Sequence, residues 1–204
     1  MEFGRVPEDG RRTEELGVDL SFPDNPFWDF SIHTYAKAGV AEACLALQER
    51  HGADVNVLLY CLWIAQRRGG RLTRARLAEL LEQISSWRDQ VILPLRGLRD
   101  LLKEWTPPVS KDHAELVRAT IKRAELDAEH AEQLFLADGV PVEDDQSMLS
   151  EAAAMDAAEN LAQYLSLLKV RSSAEEQAWA ATLLSAAYPD VPVDKIAILS
   201  RFET

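Results

Sequence analysis

Cysteine is scarce in this chain of 204 residues, with two in all, and no unbroken apolar run is longer than the nine residues Val57 to Ala65. A membrane-spanning helix needs about 20 apolar residues, so no span is expected. Cys44 and Cys61 sit inside apolar helical patterns without metal-pair spacing, which points to buried free thiols rather than a disulfide framework. The stretch from Met1 to Asp19 is polar and lacks the apolar core of a secretory signal. Together these absences point to a cytosolic protein that does not contact membranes. Also missing are Gly-x-Ser-x-Gly, His-Glu-x-x-His, Cys-x-x-Cys and Gly-x-Gly-x-x-Gly. No catalytic residue, metal ligand or cofactor is therefore assigned.

What is present is an ordinary globular composition, 47% hydrophobic and 27% charged. The length suits one domain able to bury roughly 70% of its unfolded surface, which needs no staple. Residues 1–20 read as a flexible polar tail, 21–170 as a helical domain, and 171–204 as a helical extension packed on the same domain. Apolar spacing at three and four recurs throughout, with no strand-like alternation, so the fold class is all-α. An irregular bundle of about seven to eight helices is expected. Asn25 caps the first, with Pro26 at its first position. A second runs about Val40–Arg50 and is closed by Gly52. Asp54 caps a third, Val55–Arg67, which is apolar nearly all round and should be the central buried helix.

Thr73 caps a long fourth helix with a seven-residue seam: Leu77, Leu80, Ile84, Trp87, Val91, Pro94, Leu98, Leu101 and Trp105. Pro94 should kink or divide it. Ser110 caps a fifth, about 111–137, with a seam of Val117, Ile121, Ala124, Ala128, Ala131 and Phe135. The two should form a long antiparallel hairpin, 73–105 against 111–137. A sixth helix spans about 147–169 with Met148, Ala152, Met155, Ala158, Leu161, Leu165 and Leu168 on one stripe. Ser173 and Glu176 fit a capping box for a seventh, and Pro192 opens a final short one.

The net charge of −12 disfavours nucleic acid as a partner of the whole chain. It is unevenly spread: −3 over residues 1–20, −3 over 21–65, +5 over 66–103 and −11 over 104–204. The basic middle either lies against the acidic half or presents an anion site. Arg67, Arg68, Arg71 and Arg74 surround Gly69-Gly70 just before a helix start, where free N–H groups and arginine forks favour anions.

Glu125, Glu129 and His130, near Asp127, form no di-metal pattern, because the Asp-x-x-His spacing occurs once. A solvated face with charge pairs four apart explains them better. Arg88, Arg96 and Arg99 with Glu125 and Glu129 could also form an Arg–Glu ladder along the hairpin edge that fixes register; the functional alternative is a polar inter-helical cleft lined by Asn56, Arg88, Arg96, Glu125 and Glu129. Phe27 and Trp28 are candidate anchors for a partner protein.

Blocks of this sequence resemble a family of uncharacterised bacterial all-helical proteins, a domain of unknown function. They are Asn25-Pro26-Phe27-Trp28-Asp29-Phe30-Ser31, Gly52-Ala53-Asp54-Val55-Asn56, Trp87-Arg88 leading to Pro94-Leu95-Arg96, Glu125-Leu126-Asp127-Ala128-Glu129, and Asn160-Leu161 to Tyr164-Leu165. The resemblance covers roughly residues 24–165. It implies a soluble helical bacterial protein and brings no activity with it. The leading expectation is a protein-binding adaptor or regulatory protein. The alternatives are a small-molecule-binding protein or enzyme using the polar cleft, and anion or nucleic-acid binding through 67–76. An exposed half of the fourth-helix seam would mark a homo-oligomer.

Overall fold

A computed structural model describes residues 22–67, 70–105, 108–138, 140 and 151–202. The tail expected at 1–20, Arg68 and Met148 lie outside the described residues. The fold is all-α, and the described residues contain no strand. In chain order the helices are α1 (Pro26–Tyr35), α2 (Val40–His51), α3 (Val55–Ile64), α4 (Arg74–Trp87), α5 (Leu93–Leu101), α6 (Lys111–Ala137), α7 (Glu151–Leu167), α8 (Ala174–Ala187) and α9 (Val193–Leu199). A π-turn over Arg88–Ile92 joins α4 to α5 without a break, so the two form one rod, and the described residues make eight helical bodies.

Local chemistry sets the boundaries. Asn25, Asp54, Thr73, Ser110 and Ser173 each accept a first-turn backbone N–H on their side chains. Ser173 and Glu176 complete a capping box. Gly52 closes α2 at φ 68°, where its N–H reaches Gln48 O; glycine adopts that left-handed geometry without a Cβ clash. Pro94 enters at the first turn of α5, directly after the π-turn. The wider turn tolerates the N–H that proline lacks.

α3 is the buried axis, with every residue from Asn56 to Ile64 inside. α1, α2, α6, α7 and α8 surround it. Asn160 of α7 pins the entry to α4: its Nδ2 donates to Cys61 O (3.2 Å) and Gly70 O (2.9 Å), and its Oδ1 accepts from Leu72 N (2.7 Å). Tyr188 at the end of α8 donates to Leu62 O (2.7 Å). α8 and α9 contribute Leu183, Leu184, Tyr188 and Ile196 to the same core.

The expected hairpin is present along α5, which lies antiparallel on α6; α4, at the other end of the rod, diverges and packs on α7 as well. The expected seams need correction. Leu77, Leu80 and Ile84 are buried, but Trp87 is 41% exposed and Leu98, Leu101 and Trp105 face outward. The extra residue of the π-turn rotates the face of the rod downstream of it, so Ile92 is buried in place of Val91, and α5 buries none of its residues. On α6 the inward face is Ala114, Glu125, Ala128, Glu132, Gln133 and Leu136, whereas Val117 and Phe135 are exposed. α7 buries Ala153, Ala154, Ala157 and Asn160 with Leu161 and Leu165, leaving Met155 outside.

Candidate functional site

α1 lies across the middle of α6, and a cleft of about 460 Å³ opens between them with α3 as its floor. α1 contributes Trp28, Ser31, Ile32 and Tyr35, one face at helical spacing. The floor is Val55, Asn56 and Leu59 of α3. α6 contributes Glu125, Leu126, Glu129 and Gln133, while Arg96 and Arg99 of α5 and Gln48 of α2 close one end. The volume falls in the usual range for small-molecule sites, and the walls are mostly apolar with a few convergent polar groups.

Arg96 organises that end. Its Nε donates to Glu125 Oε1 (3.0 Å), Nη1 to Gln48 Oε1 (2.6 Å) and Nη2 to Glu129 Oε1 (2.8 Å). Arg99 Nη1 lies 3.0 Å from the second oxygen of Glu125. Glu125 is therefore buried between two guanidiniums, which corrects the reading of this face as solvated. Burial raises the Glu129 carboxyl, against the pull of Arg96.

A second set of bonds runs under the floor. Asn56 Nδ2 donates to Glu132 Oε1 (3.1 Å) and to Glu129 O (3.4 Å), and Asn56 Oδ1 accepts from Gln133 Nε2 (2.8 Å). Burial, reinforced by nearby Asp54, pushes the Glu132 carboxyl up to about 8. Arg88 does not line the cleft. Its Nε pairs with Asp54 Oδ2 at 3.1 Å and its Nη2 donates to Gly52 O at 2.9 Å, so it closes the α2–α3 turn. Asn56, Arg96, Glu125 and Glu129 do come together, and Arg88 sits behind them.

Several polar atoms here are buried and unpaired: Ser31 Oγ, Gln133 Oε1 and Glu132 Oε2. The first two belong to residues lining the cleft, each more than nine-tenths buried. Such atoms are uncommon in native folds and cost about 1–3 kcal/mol each. A wider cavity of about 540 Å³ between α4 and the end of α6 includes Arg71, Arg76 and Asp138, but none of its lining residues carries an unpaired buried polar atom.

The remaining candidates are dispersed. Phe27 is fully buried against Tyr60 and Trp63, where no partner can reach it. Trp28 stacks on His130 with centroids 4.1 Å apart, and Phe22 stacks on the same imidazole at 4.4 Å. Asp127 pairs with Arg123, so it does not join His130 as a ligand pair. Arg67 lies over the Trp63 ring at 4.9 Å. Arg71 faces Glu159 (3.4 Å) and Asp156 (3.9 Å) of α7, and Arg74 donates to Ser166. The basic middle therefore meets the acidic half at this contact; Arg71 shares one cavity with Arg76 and another with Arg74.

Sequence reading places Arg99 only on the hairpin-edge ladder, where it pairs with Glu125, and misses Ser31, Gln48, Glu132 and Gln133. The available signal is the i, i+4, i+8 series Glu125, Glu129 and Gln133, set opposite arginines three apart at 96 and 99.

Residues 26–136 match the model of a protein family of unknown function, DUF2390, and the chain belongs to that family. The match runs from α1 to the last turn of α6 and includes every residue lining the cleft. No curated protein and no solved structure matches the chain.

Proposed function

We propose that this DUF2390 member is a small-molecule-binding protein whose site is the cleft between α1 and α6. The observation that carries this reading is the pair of buried, unpaired acceptors, Ser31 Oγ and Gln133 Oε1, on residues of the two helices that wall a largely apolar cleft. Asn25 Nδ2 and Trp63 Nε1 are also buried and unpaired, but neither residue lines the cleft, and Asn160 is fully bonded. A ligand supplying hydrogen bonds would recover what the two cleft acceptors forgo. Two buried free thiols suit a reducing compartment, and we place the protein in the cytosol. The test is a fragment screen observed by amide NMR, repeated on Ala36→Trp, which fills the cleft mouth from the end of α1. Hits that perturb Trp28, Leu59 and Leu126 and vanish in the variant support the reading. Hits unaffected by the variant would sink it.

A second reading, association with another protein, is favoured by the far end of the hairpin. Leu98, Leu101, Trp105, Leu116 and Val117 are all exposed there, with Leu116 at 67%. Residues 93–123 carry seven cations and four acids, a local +3 in a chain of −12. The matching partner is an amphipathic helix with acidic flanks. Binding of such a peptide that weakens with salt and is lost in Leu101→Asp supports this; salt-independent binding would count against it.

A further inference from the structure

We propose that the cleft takes an organic amine, with its ammonium head among Ser31, Glu129 and Gln133 and an apolar or aromatic body against Trp28, Ile32 and Tyr35. This rests on the small-molecule reading above and specifies its ligand class.

The inventory of unpaired groups fixes the sign. Asn56 gives its amide hydrogens to Glu132 Oε1 and Glu129 O, so its Oδ1 must accept, and it accepts from Gln133 Nε2. The Gln133 amide is thereby oriented with Oε1 left over as an acceptor. Glu129 Oε1 is taken by Arg96, and its Oε2 has no partner among the described residues. Glu129 and Gln133 stand one turn apart on α6, and Ser31 comes from α1, another lining helix. The inner end thus offers acceptor oxygens without a free donor cation. An ammonium group carries three donors and no acceptor.

The charges lining the cleft are largely matched in place: Arg96 pairs with Glu125 and Glu129, Arg99 pairs with Glu125, and Lys122 lies further along α6. Burial raises the Glu129 and Glu132 carboxyls, and a cation seated beside them would offset that desolvation. Three of the five Arg96 N–H groups are already committed to Glu125, Gln48 and Glu129, which leaves an anionic ligand little at the inner end. Arg99 stands beside Arg96 on Glu125 with its Nε unpaired, and Lys122 lies further from Glu129 along α6. Lys122 is seven positions from Glu129, about 10 Å along the helix, so like-charge repulsion turns an amine head inward. The Trp28 and Tyr35 rings add cation–π attraction along the way.

Three probes with one body separate the possibilities: phenethylamine, phenethyl alcohol and hydrocinnamate, titrated into the full chain by calorimetry. Phenethylamine should bind at least about tenfold tighter than the alcohol, and hydrocinnamate weakest. Glu129→Gln should weaken the amine by at least about tenfold and the alcohol by much less. Gln133→Met should weaken the amine by roughly threefold, a check independent of the Arg96 pair. Thermal melts of both variants confirm folding. If all three probes bind alike, or hydrocinnamate binds tightest, and Ala36→Trp abolishes that binding, the amine assignment is wrong and the cleft reading stands. If Ala36→Trp leaves every affinity unchanged, the cleft itself is wrong. If no probe binds while unrelated fragments occupy the cleft, the amine assignment alone falls.

Discussion

Glu176 and Glu132 are both buried glutamates on helices, and their surroundings are opposite. Glu176 of α8 accepts from the backbone N–H (3.2 Å) and the hydroxyl of Ser173, from His51 Nε2 at 3.0 Å and from Arg50 Nη1 at 3.2 Å. The Ser173 hydroxyl first, then His51 and Arg50, hold its carboxyl down at about 2. Glu132 of α6 accepts from Asn56 alone among the described residues, keeps Oε2 unpaired, and is pushed up to about 8 by burial and Asp54. The first carboxylate is saturated and locks α2 to α8. The second belongs to a network left incomplete beside a cleft. A saturated polar cluster fixes a fold; an unsaturated one next to open volume leaves acceptors for something else.

Breaking the saturated side should cost most. Glu176→Ala strands Arg50, His51 and the α8 cap, and a urea titration should show a loss of about 3 kcal/mol. Because the folded carboxyl is depressed, its contribution is present above the ordinary value of 4.5 and disappears as pH falls toward 2. Glu176→Gln should remove that acid sensitivity. Arg96→Gln, which leaves Glu129 unpaired and Glu125 with Arg99 alone, should cost about 2 kcal/mol.

The unsaturated side should respond with the other sign. The folded Glu132 carboxyl is raised, so its contribution is present below 4.5 and is lost as pH rises through about 8. Glu132→Gln should therefore be near neutral in acid and more stable than the parent by about 1 kcal/mol at pH 9, read from paired urea curves. The smallest effect belongs to a pair outside both clusters. Arg71 and Glu159 are half-exposed at 3.4 Å, and Arg71→Ala should change stability by less than about 0.5 kcal/mol.

Helix existence, caps and the central place of α3 are legible because they depend on neighbours in sequence: Asn25, Asp54, Thr73, Ser110 and Ser173 all cap as their spacing implies. Helix facing is less so. The heptad seam of the fourth helix fails after Trp87 because a π-turn adds a residue, which periodicity in α4 and α5 does not announce. Periodicity assigns alanine to the inward face of α6, yet that face is largely Glu125, Glu132 and Gln133. Burial of those groups is made tolerable by Arg96, Arg99 and Asn56, partners 26 to 77 positions away. Asn56, Arg96, Glu125 and Glu129 are reachable from charge and spacing. Gln133 continues the Glu125 and Glu129 spacing, but its unpaired oxygen, like that of Ser31, becomes visible only when its surroundings are known.

The most direct test tracks the Gln133 side-chain amide and the Trp28 indole in nitrogen-15 correlation spectra as phenethylamine is added. Saturable shifts at Gln133, Ser31 and Trp28, with the His51 and Glu176 signals unmoved, are the predicted result. An unmoved Gln133 amide at saturation, or shifts centred on the α2–α8 joint, would contradict the account.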